Sequence, residues 1–179
     1  MLALSTVLSM VVLFHMPTGG SVTPFSMLPV MIIAYRYGFK WGLVTGAAYG
    51  VLQMFLGMGN LSYATNWLAV VCIILFDYVV AYMTVAFAGL FRKIKNQALG
   101  FSIGMAIACV LRFICHFITG VTVWAEYAED MPVMLYSAVY NGSYLLPEMG
   151  LTLVVGVVLL SVLDVRGDSI RPLSKSKNA

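Results

Sequence analysis

The stretch "LGFSIGMAIACVLRFICHFITGVTVWAEY", residues 99–127, decides how the rest of the chain is read. Its first part holds no charged residue, as a helix surrounded by hydrocarbon requires. Arg112, His116 and Trp124 then follow at steps of four and eight. An ionisable side chain at membrane depth costs about 2.5 to 3.5 kcal/mol on insertion scales, so such residues usually face a partner or a cavity.

The remainder of the chain has the same character. Of 179 residues, 61% are hydrophobic and 9% charged, against roughly 25% charged in an average soluble domain. Apolar stretches recur along the whole length, separated by short segments that hold Gly, Pro, Asn and nearly all the charge. The composition points to an all-α integral membrane protein with one compact bundle and no soluble domain. The first stretch, "MLALSTVLSMVVLFH", lacks a basic start and a small-x-small cleavage site, so it reads as a helix and not as a signal peptide. Cys72, Cys109 and Cys115 all fall inside apolar runs, which suits buried small hydrophobes better than a disulfide framework or a metal cluster.

Six transmembrane helices are predicted, over residues 2–15, 25–35, 41–57, 67–90, 99–123 and 133–165. The second is short: about eleven residues at 1.5 Å each cover only half of a 30 Å hydrocarbon core, so it must tilt or lean on its neighbours. With both termini cytoplasmic, the inner segments "RYGFK", "FRKIKNQ" and the tail hold nine of the ten Lys and Arg. The outer segments "MPTGGSVTP", "MGNLSYATN" and "WAEYAEDMP" hold none. This split follows the positive-inside rule and supports an even number of crossings. The net charge of +3 therefore reports orientation and gives no support for nucleic-acid binding. Gly42, Gly46 and Gly50 form a small-xxx-small series through which another helix backbone can approach closely. Asn141-Gly142-Ser143 matches a glycosylation acceptor but lies within a predicted span and is set aside. Residues 1–165 make up the transmembrane domain, and 166–179 a basic, solvated cytoplasmic tail.

Few polar residues sit at membrane depth, which makes each informative: Asp77 in the fourth helix, Arg112 and His116 in the fifth, Glu148 in the sixth. Arg112, His116, Gly120 and Trp124 step by four and form one slowly drifting stripe. Tyr136, Tyr140, Tyr144 and Glu148 form a second, with Asn141 beside it, and Asp77, Tyr78 and Tyr82 add a third patch. Taken singly, Trp124, Tyr127 and Tyr136 also suit an aromatic belt at the headgroups, and Arg112 could pair with Asp77 across the bundle. Their convergence in the outer half of three long helices instead describes a pocket open to the outside, with aromatic walls and few directional polar contacts. Aromatic faces attract cations, and Asp77 can accept hydrogen bonds from an amino group, so a planar cationic heteroaromatic suits the pocket. Arg112 would then serve a hydroxyl or phosphate at the other end, or balance Asp77.

Five segments, "GGSVTPFSMLP", "GLVTGAAYGVLQ", "FDYVVAY", "RFICHFITGVTVW" and "YSAVYNGSYLLPE", in this order, resemble the thiamine-specific substrate-binding subunit (S-component) of energy-coupling factor (ECF) transporters. The similarity runs over nearly the whole chain. It implies a six-helix subunit of the bacterial cell membrane that captures thiamine from outside, needs no cofactor, and joins an energising module of a transmembrane T-component and two ATPases. It further implies that Asp77, shorter than the Glu expected there, meets the aminopyrimidine and that Tyr78 follows it. Arg112 occupies a basic position, His116 and Trp124 match a pocket histidine and tryptophan, and Tyr136 and Asn141 match a tyrosine and an asparagine. Trp67 falls where an aromatic from the outer loop is expected, and Tyr82, Tyr140, Tyr144 and Glu148 are further candidates for the ligand site. Two departures stand out. "TGGSVTPF" lacks the tryptophan that some members place in the first outer loop, leaving Phe25 as a loose substitute. The first helix offers Ala3 with Val7, or Ser5 with Ser9, in place of an Ala-xxx-Ala contact for the T-component.

Other classes are less well supported. No GxxxxGK[ST] phosphate loop is present, so ATP dependence would come from partner chains. A stand-alone proton-coupled carrier using Asp77 and His116 would be favoured by two similar halves of inverted topology, and none is found. A membrane enzyme is disfavoured by the absence of HExxH and GxSxG, with "AEYAED" reading as a solvated outer loop.

Overall fold

A computed structural model describes residues 1–17, 20–167 and 169–173. Thr18 and Gly19 of the predicted first outer segment, and Asp168 and residues 174–179 of the predicted tail, lie outside the described residues. Helix α1 (Leu2–Met10) leads into a short hairpin of β1 (Phe14–His15) and β2 (Ser21–Val22). Helices α2 (Leu28–Tyr37), α3 (Phe39–Leu56), α4 (Trp67–Gly89), α5 (Gln97–Thr122) and α6 (Val133–Val162) follow. The described residues end in a second two-stranded pairing, β3 (Leu163–Asp164) with β4 (Arg171–Pro172). Among the described residues α4, α5 and α6 are long and apolar enough to cross a membrane, and α2 is apolar but shorter.

The first helix is shorter than the predicted 2–15. It stops at Met10, Val11 turns to extended backbone, and Phe14 pairs with Val22 and His15 with Ser21. Pro17 biases Met16 away from helical backbone, and β-branched Val11 and Val12 tolerate an extended chain. The freed backbone groups find partners across the hairpin, Leu13 N donating to Val22 O at 2.9 Å and Met16 N to Gly20 O at 3.1 Å. The second helix starts later than predicted, with Pro29 in its first turn, where the missing N–H costs no hydrogen bond. It ends at Gly38, whose φ of 96° is open to glycine and turns the chain into α3. Seven of the ten residues of α2 are buried, Leu28, Pro29 and Ile32 on one side and Val30, Met31, Ala34 and Tyr35 on the other, so this short helix does lean on its neighbours, as a nearly all-apolar element must.

The glycine series of α3 fixes the α3–α4 seam. A Cβ on Gly42 would lie 2.6 Å from Ala86 Cα, one on Gly46 2.6 Å from the Tyr82 carbonyl oxygen, and one on Gly50 2.8 Å from that of Tyr78. Steps of four on one helix meet steps of four on the other, running antiparallel. Only glycine lets the backbones approach this closely, and the register carries Tyr78 and Tyr82 to fixed heights. Along α4 the hydrogen-bond pattern changes. Asn66 caps its start by accepting from Ala69 N at 2.9 Å, Ile73–Val79 forms a π-helical stretch, and Thr84–Gly89 tightens to 3-10 geometry. π-bulges concentrate at functional sites, and this one contains Asp77 and Tyr78.

Helix α5 packs along α6, with Gly120 against Ser137 and Gly156 against the Phe101 ring. At the end of the bundle that holds the basic residues, the Gln97 amide donates to the carbonyls of Leu160 (2.6 Å) and Leu163, taking up groups left open by the end of α6. Arg166 Nη1 donates to Ile94 O at 2.9 Å and Arg36 Nη1 to Val165 O at 3.3 Å. The predicted tail therefore begins as a docked segment, since β4 turns back on β3. The lateral surface is apolar, with Trp41, Val44, Val110, Leu146, Val154 and Val158 exposed. Arg112, His116, Asn141 and Glu148 are buried instead, an arrangement suited to a hydrocarbon surrounding.

Candidate functional site

The end of the bundle away from the basic residues opens into a cavity of about 570 Å³. The predicted stripes converge there. Arg112, His116, Gly120 and Trp124 of α5 and the loop after it, Tyr136, Tyr140, Asn141, Tyr144 and Glu148 of α6, and Asp77, Tyr78 and Tyr82 of α4 all line it. Step-four spacing on α5 and α6 keeps each series on one face. On α4, Asp77 and Tyr78 reach the cavity from the π stretch.

Asp77 is the centre of one cluster. Its Oδ1 contacts His116 Nδ1 at 3.0 Å and accepts from Thr119 Oγ1, and its Oδ2 accepts from Trp124 Nε1 at 3.2 Å. Glu148 is the centre of the other. Its Oε2 lies 3.6 Å from Arg112 Nη1, with both side chains at most 7% exposed, and its Oε1 accepts from Thr23 Oγ1 at 2.6 Å and Ser26 Oγ at 2.9 Å. Arg112 also donates from Nη2 to Tyr82 OH at 3.1 Å and stands 4.5 Å over that ring.

The suggested ion pair between Arg112 and Asp77 is not formed; Arg112 pairs with Glu148. Sequence spacing cannot choose between two carboxylates on different helices, and here Glu148 stands opposite Arg112 while His116 separates it from Asp77. Arg112 Nε donates to His116 Nε2 at 3.3 Å. A guanidinium can only donate, so Nε2 is the unprotonated nitrogen of a neutral ring, and Nδ1–H is left to donate to Asp77. One continuous chain thus runs from Trp124 through Asp77, His116 and Arg112 to Glu148.

Counting charge along the lining, two carboxylates face one guanidinium and leave one negative charge. Among the described residues no Lys or Arg lies within ion-pair distance of Asp77. A carboxylate has about four acceptor positions, and His116, Thr119 and Trp124 occupy three. The remaining one is open to a donor in the cavity.

The aromatic walls come from two groups. Tyr63, Trp124 and Tyr127 stand with centroids 5.9 to 6.3 Å apart at the mouth, and Tyr136, Tyr140 and Tyr144 run down α6 at 5.8 and 5.9 Å. Asn141 is engaged within the wall: its amide donates to His116 O at 3.2 Å and Ser137 O at 2.9 Å, and its Oδ1 accepts from Tyr144 OH at 3.0 Å. Tyr78 OH donates to Gly57 O and accepts from Asn60 Nδ2, both at 3.0 Å, and so holds the 57–63 segment.

Trp67 is the predicted site residue that does not reach the cavity. It is 76% exposed at the first turn of α4, and the aromatic from this outer segment is Tyr63, which the 3-10 turn Met58–Tyr63 brings against Trp124. Phe25 packs against the core below, and the hairpin region contributes Ser21, Thr23 and Ser26 in its place. Ser9, Gln53, Asn60 and Thr119 were also missed. Single small polar residues carry no periodic signal, although Ser9 and Gln53, bonded at 2.7 Å, are the polar residues nearest the outer ends of α1 and α3. Cys109 and Cys115 are buried and Cys72 half-buried, all as free thiols.

Known proteins are similar to this chain over most of its length. Residues 1–166 match the family described as thiamine transporter protein (Thia_YuaJ). The thiamine transporter ThiT of Bacillus subtilis (strain 168) is 33% identical over 74% of this chain and 71% of its own. ThiT of Lacticaseibacillus paracasei is 30% identical over 77% and 72%. Among solved structures, ThiT from Listeria monocytogenes superposes with a TM-score of 0.73 at 26% identity, covering 89% of this chain and 88% of that one. With its matched region spanning the whole bundle, this chain belongs to the thiamine transporter protein (Thia_YuaJ) family.

Proposed function

We propose that the cavity binds thiamine from outside the cell and that this chain is the substrate-specific S-component of an ECF-type transporter, without ATPase activity of its own. The observation that carries the reading is Asp77: a carboxylate without a Lys or Arg partner among the described residues, its last acceptor position facing an aromatic-walled cavity with one excess negative charge. Thiamine is a cation with an aminopyrimidine and a thiazolium ring. The amino group suits Asp77, and the positive ring suits the faces of Trp124 and the tyrosines. Ligand contact is assigned to Asp77, His116, Trp124, Tyr136 and Tyr140, with Arg112, Tyr82, Tyr144, Asn141, Tyr78 and Glu148 shaping the walls.

In this reading all six helices lie in the membrane, both termini are cytoplasmic, and the basic end of the bundle faces inward, in line with the positive-inside rule. Residues 1–165 form the binding domain and the segment from 166 the cytoplasmic tail. Energy comes from a T-component and two ATPases.

Purified protein in detergent, without ATP, should bind thiamine and not riboflavin or biotin. Asp77→Ala or His116→Ala should weaken binding at least about tenfold, a loss of about 1.4 kcal/mol. Wild-type affinity in both variants would show that the ligand sits elsewhere. The direct contact between Asp77 and His116 favours one second reading, a proton-coupled carrier that works alone. Thiamine uptake driven by a proton gradient into vesicles holding only this chain would establish it.

A further inference from the structure

The buried pair of Arg112 and Glu148 has no obvious need to exist for packing alone. Burying two charges is expensive, and an apolar pair of similar volume is often as stable or more so. The pair lies against the ligand cavity, and its guanidinium is one imidazole ring away from Asp77: Arg112 Nε reaches His116 Nε2 at 3.3 Å, and His116 Nδ1 reaches Asp77 Oδ1 at 3.0 Å. With Glu148 uncharged, Asp77 is the carboxylate left in the lining to balance the guanidinium.

We propose that Glu148 sets the charge selectivity of the cavity: by holding Arg112 in a buried ion pair, it leaves Asp77 as the unbalanced carboxylate and tunes the site to a singly charged organic cation. Glu148 is then a positioning residue that acts through Arg112 and Asp77. Its own carboxylate is spent, one oxygen on Arg112 at 3.6 Å and the other on Thr23 and Ser26 at 2.6 and 2.9 Å. Those two hydroxyls fix the carboxylate at the height of Arg112, so the pair cannot slide toward Asp77. This inference rests on the assignment of thiamine to the cavity.

The test compares thiamine with a neutral isostere in which the thiazolium nitrogen is replaced by carbon, on wild type, Glu148→Gln and the charge-balanced double variant Arg112→Met/Glu148→Gln. Glu148→Gln keeps the shape and the acceptor for Thr23 and Ser26 but leaves Arg112 unpaired. Thiamine binding should weaken about tenfold or more while the isostere changes less than about threefold, and the double variant should recover the wild-type preference for the cation to within about threefold. Equal weakening of both ligands by Glu148→Gln would mean that the pair only holds the fold, and overturns the proposal. So would a double variant that folds and binds the isostere without regaining the preference. Failure of wild-type protein to bind thiamine at all would instead strike the proposed function, so the two outcomes are distinct.

Discussion

The two ends of the bundle are packed by opposite means. At the basic end, backbones touch: Gly42 lies against Ala86, Gly104 against Ala88 and Gly89 against the Ala34 carbonyl, and a Cβ on any of them would be blocked by main-chain atoms. At the other end the same helices are held apart by Tyr82, Arg112, His116, Trp124 and Tyr144, and about 570 Å³ stays open between them. Small residues give a rigid base because van der Waals contact is the main attraction left between helices in lipid. Large polar and aromatic residues give a cavity because their hydrogen bonds fix their positions without filling the space. The division teaches that close packing and open space are assigned to different residues of the same helices.

The largest expected effect comes from breaking the closed end. Gly42→Leu places atoms where Ala86 Cα and Ala34 Cβ already stand, at 2.6 and 2.7 Å from the added Cβ, and backbone atoms cannot rotate away. Overpacking of this kind costs about 3 kcal/mol, visible as a lower midpoint of thermal unfolding in detergent, while the protein that remains folded should bind thiamine within about threefold of wild type. A selective loss of binding with an unchanged midpoint would dissolve the distinction between the ends. Next in size is Asp77→Ala, the mirror image. Its partners His116, Thr119 and Trp124 line the open cavity, and Thr119 has a second acceptor in His116 O at 3.0 Å, so affinity falls by at least about 1.4 kcal/mol while the unfolding midpoint moves little. A large drop in the midpoint would make Asp77 part of the scaffold.

How much of this was legible in the sequence differs between the ends for the same physical reason. Regular repetition was readable: Gly42, Gly46 and Gly50 announced a close approach that the α3–α4 seam realises, and the step-four stripes of α5 and α6 did reach one cavity. Irregular backbone was not. Nothing in "IILFDYV" marks a π-helical stretch, because its residues suit an ordinary helix and the tertiary contacts of Gly50 with Tyr78 and Val79 coexist with the altered winding. The β-hairpin after Met10 was hidden by the apolar character of "VVLFH". Partner choice was hidden too, since the four ionisable residues allow two pairings for Arg112, and only the fold sets Glu148 against it and His116 between it and Asp77.

Tyr78→Phe probes the boundary between the two ends. Tyr78 shares the seam with Gly50 and lines the cavity, yet its hydroxyl is spent on Gly57 O and Asn60. Losing it costs about 1 kcal/mol and loosens the 57–63 segment that presents Tyr63. Hydrogen exchange should quicken there, and thiamine affinity should fall about threefold, less than for Asp77→Ala. A loss as large as that of Asp77→Ala would mean that the hydroxyl meets the ligand directly.

Trp67 should matter least, and it sharpens the comparison by its position. The chain has three tryptophans; Trp41 and Trp67 are exposed, and Trp124 lines the cavity with Nε1 on Asp77. With its amino group on Asp77 and its cationic ring seeking an aromatic face, thiamine comes against Trp124 and should quench its fluorescence. Trp67→Phe should keep that quenching and shift affinity less than about twofold, under about 0.4 kcal/mol, whereas Trp124→Phe should abolish it. If Trp67→Phe abolished the quenching instead, the first turn of α4 would have to swing inward when the ligand binds. The open end would then be a surface that closes on its ligand, and the rigid division between the two ends would give way to a moving one.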